Sequence, residues 1–477
     1  MGVTTKQPWV ISGPVRSPKV ALQKPCDPAW AWAPYQPDAE RPWNRALAGH
    51  LYRRAGFGAT WLELEQALAD GPQKTADKLL APRSQIDEFN RTYDEYDAAA
   101  ASSDSGDALR AWWLRRMIDT PDPLLEKMTL FWHGHFAING SAVKSARLMR
   151  QYVQLLRCHA LASFRDLFEA VSHDPAVLTG LGASAHHKAR PNESFARWLM
   201  DPFTLGPGHV SEADVRDVAR AFTGWFVRDG ELRFVPREHD GGIKRILGQE
   251  GHFTGDDVVR LLLEHKATSE TLVLELYRWL ISETERPEAA VVAPLIESFS
   301  RDADLRKLVE TMLRSNLFFS PAAYRQRIKS PVEFAVGIAR SLEGVVPTTR
   351  LAHDLATLGQ NLYYPPAVAG WAGGTCWIDD LTLIRRHNLA LALLRGTDPY
   401  GDKLDPRAIA TKHGFSTPPS AARFLIDLLL QGDLDQTVAD TLVKSVPPSG
   451  RPGGESSDTV LRHVAHAIVT LPEFQLS

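Results

Sequence analysis

Helix-start signals recur from about residue 43 almost to the end of the sequence, and they restrict the fold more than any other feature. Thr60 and Glu63 form a capping box, in which each side chain can bond the other residue's backbone N–H group. Asp122 precedes Pro123, the usual pairing of an N-cap with proline at the first helical position. Ser211 opens a later segment in the same way, with acidic residues in its first turn. The pattern predicts a mainly α protein, a multi-helical orthogonal array.

Three segments depart from the helical pattern. Residues 226–235 hold two short β-prone arms around Asp-Gly, which predicts one small β-hairpin insertion. Residues 85–106 are polar and rich in Ala, Asp and Ser, and they predict a loop, with a frayed helix as the alternative. Residues 446–457 predict a flexible surface loop. Later helices are predicted near 269–283, 286–300, 303–315, 331–344, 419–431, 434–445 and 458–470.

The first 42 residues differ in composition from the rest. Eight prolines fall within residues 1–42, and proline removes backbone donors and is excluded from helix interiors. We therefore expect an extended arm over 1–42 that lies along the folded body through its aromatic residues, Trp9, Trp30, Trp32 and Tyr35. The rest is predicted to divide into a main helical domain over 43–345 and a C-terminal helical subdomain over 346–477 packed on it.

Charge and cysteine content argue against several classes of protein. Lys and Arg number 54 against 57 Asp and Glu, a formal net charge of −3, so there is no basic footprint for nucleic acid. The three cysteines, Cys26, Cys158 and Cys376, form neither a C-x-x-C pair nor a disulfide framework. No apolar run approaches the roughly 20 residues that cross a bilayer, and the N-terminal segment has no apolar signal core. We expect a cytoplasmic protein with no membrane span.

His133 and His135 form the first candidate site. They flank Gly134 between aromatic residues, and two imidazoles two residues apart can share a metal ion if the backbone is extended. On a regular helix the two side chains diverge by about 200° and do not share an ion easily. The alternative interpretation is that both rings pack and form hydrogen bonds among their aromatic neighbours.

The segment after the predicted hairpin forms the second candidate site. His239, Asp240 and Lys244 lie in a glycine-containing loop shortly before a predicted helix start. Such a cluster can bind an anion or a metal ion. The alternative is a solvated loop whose polar residues only cap the neighbouring helix.

Two further segments have an open interpretation. Glu193 follows a basic loop and lies near a ligand if that loop binds one, but Asn192 is expected simply to cap the helix that follows. Residues 363–371 (YYPPAVAGW) predict a packed aromatic turn that could equally line a pocket, since ligand sites combine aromatic walls with a few polar groups.

A series of motifs stands in order along the chain: HLYRRAGFGAT (50–60), EKMTLFWHGHF (126–136), PNESFARWLM (191–200), DVRDVARAFTGW (214–225), HDGGIKRILG (239–248), GDDVVRLLL (255–263), KSPVEF (329–334), PPAVAGWAGGTCWI (365–378) and LPEFQLS (471–477). Taken together, these motifs resemble one bacterial family, that of domain of unknown function 1800. The resemblance extends from about residue 43 to the C-terminus. It implies an all-helical protein, often exported and commonly encoded beside a sulfatase-like partner, so export is the alternative to a cytoplasmic location.

This sequence also departs from the pattern that the resemblance implies. Near 192–201 two glutamates are expected, but Trp198 stands in place of the first and Asp201 in place of the second. The preceding segment, 181–184, lacks an expected Asp after its Leu. If those carboxylates bind metal or transfer protons, this chain has lost part of the site.

The sequence leaves two hypotheses. The favoured one is a binding or scaffold protein, or a degenerate enzyme, whose arm over 1–42 holds a protein partner. The resemblance implies a sulfatase-like neighbour as the candidate for that partner. The alternative is a metal-assisted hydrolase or oxidoreductase with a divalent ion in a helical cleft. Its catalytic candidates are Glu193, His239, Asp240 and Lys244, and its candidate metal ligands are His133, His135, His239 and Asp240.

Overall fold

Helices dominate the computed structural model, which describes residues 27–81, 86–102, 105–446 and 456–477. The mainly α prediction is confirmed. The helices of the first half are α1 (Pro28–Trp32), α2 (Arg45–Ala55), α3 (Trp61–Leu80), α4 (Ile86–Ser102), α5 (Gly106–Asp119), α6 (Pro123–His135), α7 (Gly140–Val143), α8 (Ala146–His159), α9 (Phe164–Ser172), α10 (Pro175–Gly180), α11 (Glu193–Met200) and α12 (Glu212–Ala221).

The second half continues in the same way after two short antiparallel strand pairs. The strands are β1 (Trp225–Arg228), β2 (Glu231–Phe234), β3 (Lys244–Ile246) and β4 (Gln249–Gly251). The helices are α13 (Gly255–Glu264), α14 (Lys266–Leu280), α15 (Ala289–Asp302), α16 (Leu305–Arg314), α17 (Pro331–Ser341), α18 (Thr348–Thr357), α19 (Asp380–Leu394), α20 (Pro406–Lys412), α21 (Pro418–Leu430), α22 (Gln436–Lys444), α23 (Ser457–Thr470) and α24 (Pro472–Gln475). Single turns of other helix types occupy Asp201–Leu205 (π) and Pro236–Glu238 and Gly374–Trp377 (3₁₀).

The predicted helix starts are confirmed in atomic detail. The Thr60 hydroxyl accepts the Glu63 N–H at 3.2 Å, and the Glu63 carboxylate accepts the Thr60 N–H at 2.9 Å. Asp122 caps α6 by accepting the Leu125 N–H at 3.3 Å. The helix that begins after Thr60 breaks at Gly71, whose φ of 77° is not helical, and a second helical segment continues from there to Leu80. The predictions of these helix starts were correct because capping depends only on residues three apart in the sequence.

The loop prediction for 85–106 is wrong over residues 86–102, which form α4. Residues four apart along this polar segment share one face, and that face packs against α5 and α8. The Trp112 indole donates to the Tyr93 carbonyl at 2.8 Å, and Arg150 pairs with the buried Asp97 at 2.6 Å. Partners distant in sequence therefore stabilise a helix that composition alone does not predict. The predicted loop over 446–457 falls mostly on residues outside the described ranges.

The hairpin predicted at 226–235 is present, and a second hairpin follows it. Strands β1 and β2 pair Trp225 with Phe234 and turn at Asp229 and Gly230, both of which have positive φ. The sequence did not predict strands β3 and β4. Their turn contains Leu247 with a φ of 49°, and leucine rarely adopts a positive φ.

Residues 27–42 of the proline-rich segment lie against the helical body. The Trp32 indole donates to the Val291 carbonyl at 2.6 Å, and Pro34 pairs with Ser315 in an isolated antiparallel bridge. Tyr35 is fully buried. The division into an arm over 1–42 and domains over 43–345 and 346–477 stays a prediction, and the remainder of the arm, 1–26, lies outside the described residues.

Helix α6 runs through the core, and it positions the site described below. Buried Lys127 on α6 forms an ion pair with Glu333 at the start of α17. Trp132, on the same helix, is fully buried and donates to the Ala160 carbonyl at 2.9 Å. Across the described part of the chain, no helix combines the length and apolar character that a membrane span requires.

Candidate ligand-binding cleft

His133 lies in the core and already has a partner. Its Nε2 accepts the Tyr363 backbone N–H at 3.0 Å, so the proton of the neutral ring sits on Nδ1. Burial lowers the pKa of His133 to about 3, which keeps the ring neutral at ordinary pH. The histidine thereby fixes the start of the segment 363–377, called the 363–377 loop from here on.

His135 lies on a different side of α6. Its Nε2 bonds the Phe203 carbonyl at 3.2 Å, and its ring stacks on Phe131 with centroids 5.9 Å apart. Burial lowers the pKa of His135 to about 4, against the opposing effect of the Phe203 hydrogen bond. Because α6 is a regular helix here, the two imidazoles diverge and contact different surroundings.

The loop residues of the second candidate site bond to the surrounding structure. His239 Nδ1 donates to the Thr223 carbonyl at 2.8 Å, and Asp240 accepts from Arg220 Nε at 2.7 Å. The Arg220 hydrogen bond holds the pKa of Asp240 near 2 against the effect of burial. The Lys244 ammonium donates to the Asp240 carbonyl at 2.5 Å, and burial lowers the pKa of Lys244. The structure thus brings Asp240 and Lys244 together inside a closed set of hydrogen bonds.

Glu193 is exposed in the first turn of α11, where Asn192 caps the helix by accepting the Phe195 N–H at 2.9 Å. Trp198, on the same helix, is buried against Phe203. At this position the chain therefore has a core side chain, where the resemblance implies a carboxylate.

The candidate metal ligands do not converge in the part of the chain that the structure describes. No three His, Cys, Asp or Glu side chains there are grouped so that they could hold a metal ion. The assignment of metal and catalytic roles to these residues stays a prediction.

A concave site lies beside α6. A cleft of about 550 Å³ opens between α6, the π turn at Asp201–Leu205, α14 and the 363–377 loop. Of the residues singled out in the two candidate sites, His135 lines this cleft. We call it the tryptophan cleft after its walls, to which Phe131, Trp279, Trp371 and Trp377 contribute.

Two glycines bring the 363–377 loop directly onto α6. A Cβ atom on Gly370 would lie 2.1 Å from the Gly134 carbonyl oxygen, and Gly370 has a φ of 73°. The position therefore requires glycine both for its backbone conformation and for the close approach. Arg278 on α14 secures the same loop from the other side by donating to the Ala372 carbonyl at 3.0 Å.

Two indole N–H groups in the cleft lack an acceptor. Trp279 Nε1 and Trp371 Nε1 are both buried, and no described residue accepts a hydrogen bond from either. Buried polar groups without a partner are few in native proteins, and each costs about 1–3 kcal/mol. Both residues line the cleft, but their Nε1 atoms have essentially no accessible surface, so neither donor faces the open space of the cleft.

Two carboxyl groups provide acceptors in the same cleft. Glu275 on α14 forms no hydrogen bond or ion pair with any described residue, and burial raises the pKa of its carboxyl. Glu283 accepts the Ile328 N–H at 2.5 Å through Oε1. Its Oε2 lies beside Gly374, 3.7 Å from where a Cβ atom would stand, and bonds no described donor. Both carboxyls therefore keep acceptor capacity for a ligand.

A buried ion cluster forms the floor of the cleft. Arg327 lies 3.9 Å over the Trp279 ring and binds Glu333 through both terminal nitrogens at 2.5 and 3.0 Å. Glu333 also binds Lys127, and although burial opposes its ionisation, these cations hold the pKa of Glu333 far below its usual range. Glu333 thus binds two cations, and one of them, Arg327, covers one face of Trp279.

Most of the cleft was not predicted from the sequence. Trp371 lies in the aromatic segment 363–371, for which lining a pocket was one of two interpretations. Glu275 and Arg278 were not singled out, because charged residues along a helix ordinarily face solvent. A signal was present, since Thr271, Glu275 and Arg278 recur at helical spacing and place polar groups on one face of α14.

Fold and site define a multihelical protein with an aromatic-walled cleft beside its central helix. The chain belongs to the family described as "Protein of unknown function (DUF1800)", whose family model matches residues 50–476. The resemblance stated from the motifs is thereby confirmed. No curated protein and no solved structure matches the chain significantly.

Proposed function

We propose that this protein binds a small organic molecule in the tryptophan cleft. The observation that carries the proposal is the Glu275 carboxyl, which is partly buried in the cleft wall and has no hydrogen-bond or ion-pair partner among the described residues. A ligand that donates a hydrogen bond to this carboxyl removes its cost of burial, which is about 1–3 kcal/mol for an unsatisfied polar group.

Size and lining agree with this role. Small-molecule sites are clefts of roughly 300–1,000 Å³, mainly apolar, with a few polar groups that fix orientation. The cleft, at about 550 Å³, falls in that range, and its aromatic walls stand next to carboxyl and guanidinium groups. The Arg278 bond to Ala372 and the Gly134–Gly370 approach hold the walls in place before any ligand arrives, which favours affinity.

The proposal is tested by a thermal-shift screen against sugars, amino acids, amines, carboxylic acids and nucleosides, with hits confirmed by calorimetry. Glu275→Ala removes the carboxyl without a partner from the cleft wall, so it should weaken every genuine hit. Glu270→Ala is the matched control, because Glu270 lies on the same helix and does not line the cleft. No hit at all, or hits that Glu275→Ala leaves unchanged, would contradict the proposal.

The other predictions from the sequence call for separate experiments. Elemental analysis of protein purified without chelator tests metal binding by His133, His135, His239 and Asp240. A pulldown with and without residues 1–42 tests the proposed protein partner, including a sulfatase-like neighbour. Cell fractionation tests the cytoplasmic location against export.

A further inference from the structure

The outer face of α19 carries a row of aliphatic side chains. The residues from 381 to 391 that are exposed all fall on one stripe of this helix, and they are Leu381, Ile384, Arg385, Asn388 and Leu391. Leu381, Ile384 and Leu391 are 54, 58 and 40% exposed. Single exposed aliphatic residues are common on protein surfaces, whereas aliphatic residues grouped on one face mark an interaction site.

The opposite face of α19 is fixed on the body of the protein. Leu389, Ala390 and Leu393 are buried on this face, and α19 packs against α23. Arg386 is fully buried, and its guanidinium donates to the Lys329 carbonyl at 2.7 Å. The body therefore holds the helix in place and leaves its exposed stripe facing outward.

The spacing of the stripe is that of a coiled-coil seam. Steps of three, four and three residues separate the members of the series Leu381, Ile384, Asn388 and Leu391, as do alternating a and d positions over two heptads. Asn388 then occupies an a position between aliphatic residues. A single asparagine at an a position specifies the register of a coiled coil, because two facing amides can bond each other in one alignment.

The charges beside the seam match a second copy of the chain in parallel orientation. With Leu381 at an a position, Asp380 falls at the preceding g position and Arg385 at the following e position, and both are exposed. In a parallel pair a g residue faces the next e residue of the other helix, so Asp380 of each copy meets Arg385 of the other. An antiparallel pair would instead place the Asn388 amide against the aliphatic Ile384, which costs free energy.

We propose that α19 pairs in parallel with α19 of a second copy of this chain, so that the protein forms a two-fold symmetric dimer. Each seam residue faces its own equivalent, and symmetry forms the Asp380–Arg385 ion pair twice. The seam ends at Arg395, the C-cap of α19, so the interface is small and the dimer is reversible. These residues do not line the tryptophan cleft, and the proposal does not depend on a ligand there.

Sedimentation velocity of the full chain, from micromolar to submillimolar concentration, tests the proposal. The wild type should pass from monomer to dimer as the concentration rises. Leu381→Asp places a carboxylate in the seam of both copies and should raise the dissociation constant by about a hundredfold or more. Leu62→Asp is the matched control, because Leu62 is an exposed leucine at the second position of α3, as Leu381 is in α19. It should leave the dissociation constant unchanged, and circular dichroism establishes that each variant is folded.

Charge reversal tests the parallel orientation. Asp380→Arg and Arg385→Glu should each raise the dissociation constant by about tenfold, because each places like charges together at both copies of the ion pair. The double variant exchanges the two charges and restores their attraction, so its dissociation constant should return to near that of the wild type.

A dimer that Leu381→Asp dissociates, that Leu62→Asp leaves intact and that the double charge reversal restores supports the proposal. A chain that stays monomeric at the highest concentration overturns it, even if the stripe binds a different protein or a lipid surface. A dimer that Leu381→Asp leaves intact has its interface elsewhere and also overturns it. Failure of the double charge reversal to restore the dimer would overturn the parallel pairing.

Discussion

Replacing Gly370 by alanine should destabilise the protein through two separable effects. The left-handed backbone at Gly370, with a φ of 73°, costs an alanine about 1–2 kcal/mol. The new Cβ atom would also lie 2.1 Å from the Gly134 carbonyl oxygen, so backbone must move. Forced overpacking costs about 1–3 kcal/mol more. We expect Gly370→Ala to lower the free energy of unfolding by about 2–5 kcal/mol.

A matched control isolates the steric part of that loss. Gly401 has a similar φ of 67°, but a Cβ atom there would meet nothing within 4 Å. Gly401→Ala should therefore cost only the backbone strain of about 1–2 kcal/mol. The assay is urea unfolding followed by circular dichroism for the wild type and both variants. Equal losses for Gly370→Ala and Gly401→Ala would refute the close approach of the 363–377 loop to α6.

Three further predictions concern buried charge and helix capping. Glu126→Gln leaves the buried side chains of Arg116 and Arg157, which Glu126 binds at 2.6 and 2.7 Å, without their carboxylate. It should cost about 3–5 kcal/mol in urea unfolding; a loss below about 1 kcal/mol would contradict this. Burial raises the pKa of Asp174 to about 6, above its ordinary 3.8. The native state therefore holds the proton of this carboxyl more tightly than the unfolded chain does, and stability should fall as pH rises from about 4 to 6. Asp174→Asn should remove that fall, up to about 3 kcal/mol, and a variant with the wild-type pH profile would refute it. Thr254→Ala removes the cap of α13 and should cost about 1 kcal/mol in the same assay, whereas no measurable change would show that the cap is dispensable.

The sequence predicted the parts of the fold that local interactions determine. The capping box at Thr60 and the hairpin at 226–235 were correct because their residues are neighbours in the chain. Helix α4 was missed because its stability depends on packing against α5 and α8. The β3–β4 hairpin was missed because Leu247 adopts a positive φ that its residue type does not predict.

The cleft was predictable only in fragments, because its groups converge from distant segments. The aromatic segment 363–371 was recognised as a possible pocket wall, and His135 was singled out for a different chemistry. Glu275 and the Trp279 indole lack partners among the described residues because of the way α14 packs. The amino-acid composition does not predict that packing. Conversely, His133 has the residue type of a metal ligand, but its Nε2 accepts a backbone hydrogen bond.

The hydrogen bond from the Tyr363 amide to His133 has a consequence for how acid affects the cleft. Because the pKa of His133 lies near 3, its lone pair stays available far below neutral pH, and the 363–377 loop keeps this attachment. In the unfolded chain the His133 side chain is protonated below about pH 6.5. The protein as a whole therefore loses stability as pH falls from there toward 3. Acid should therefore open the cleft through global unfolding. In deuterium exchange, the Tyr363 amide should be protected like an amide of the core, although it belongs to a loop.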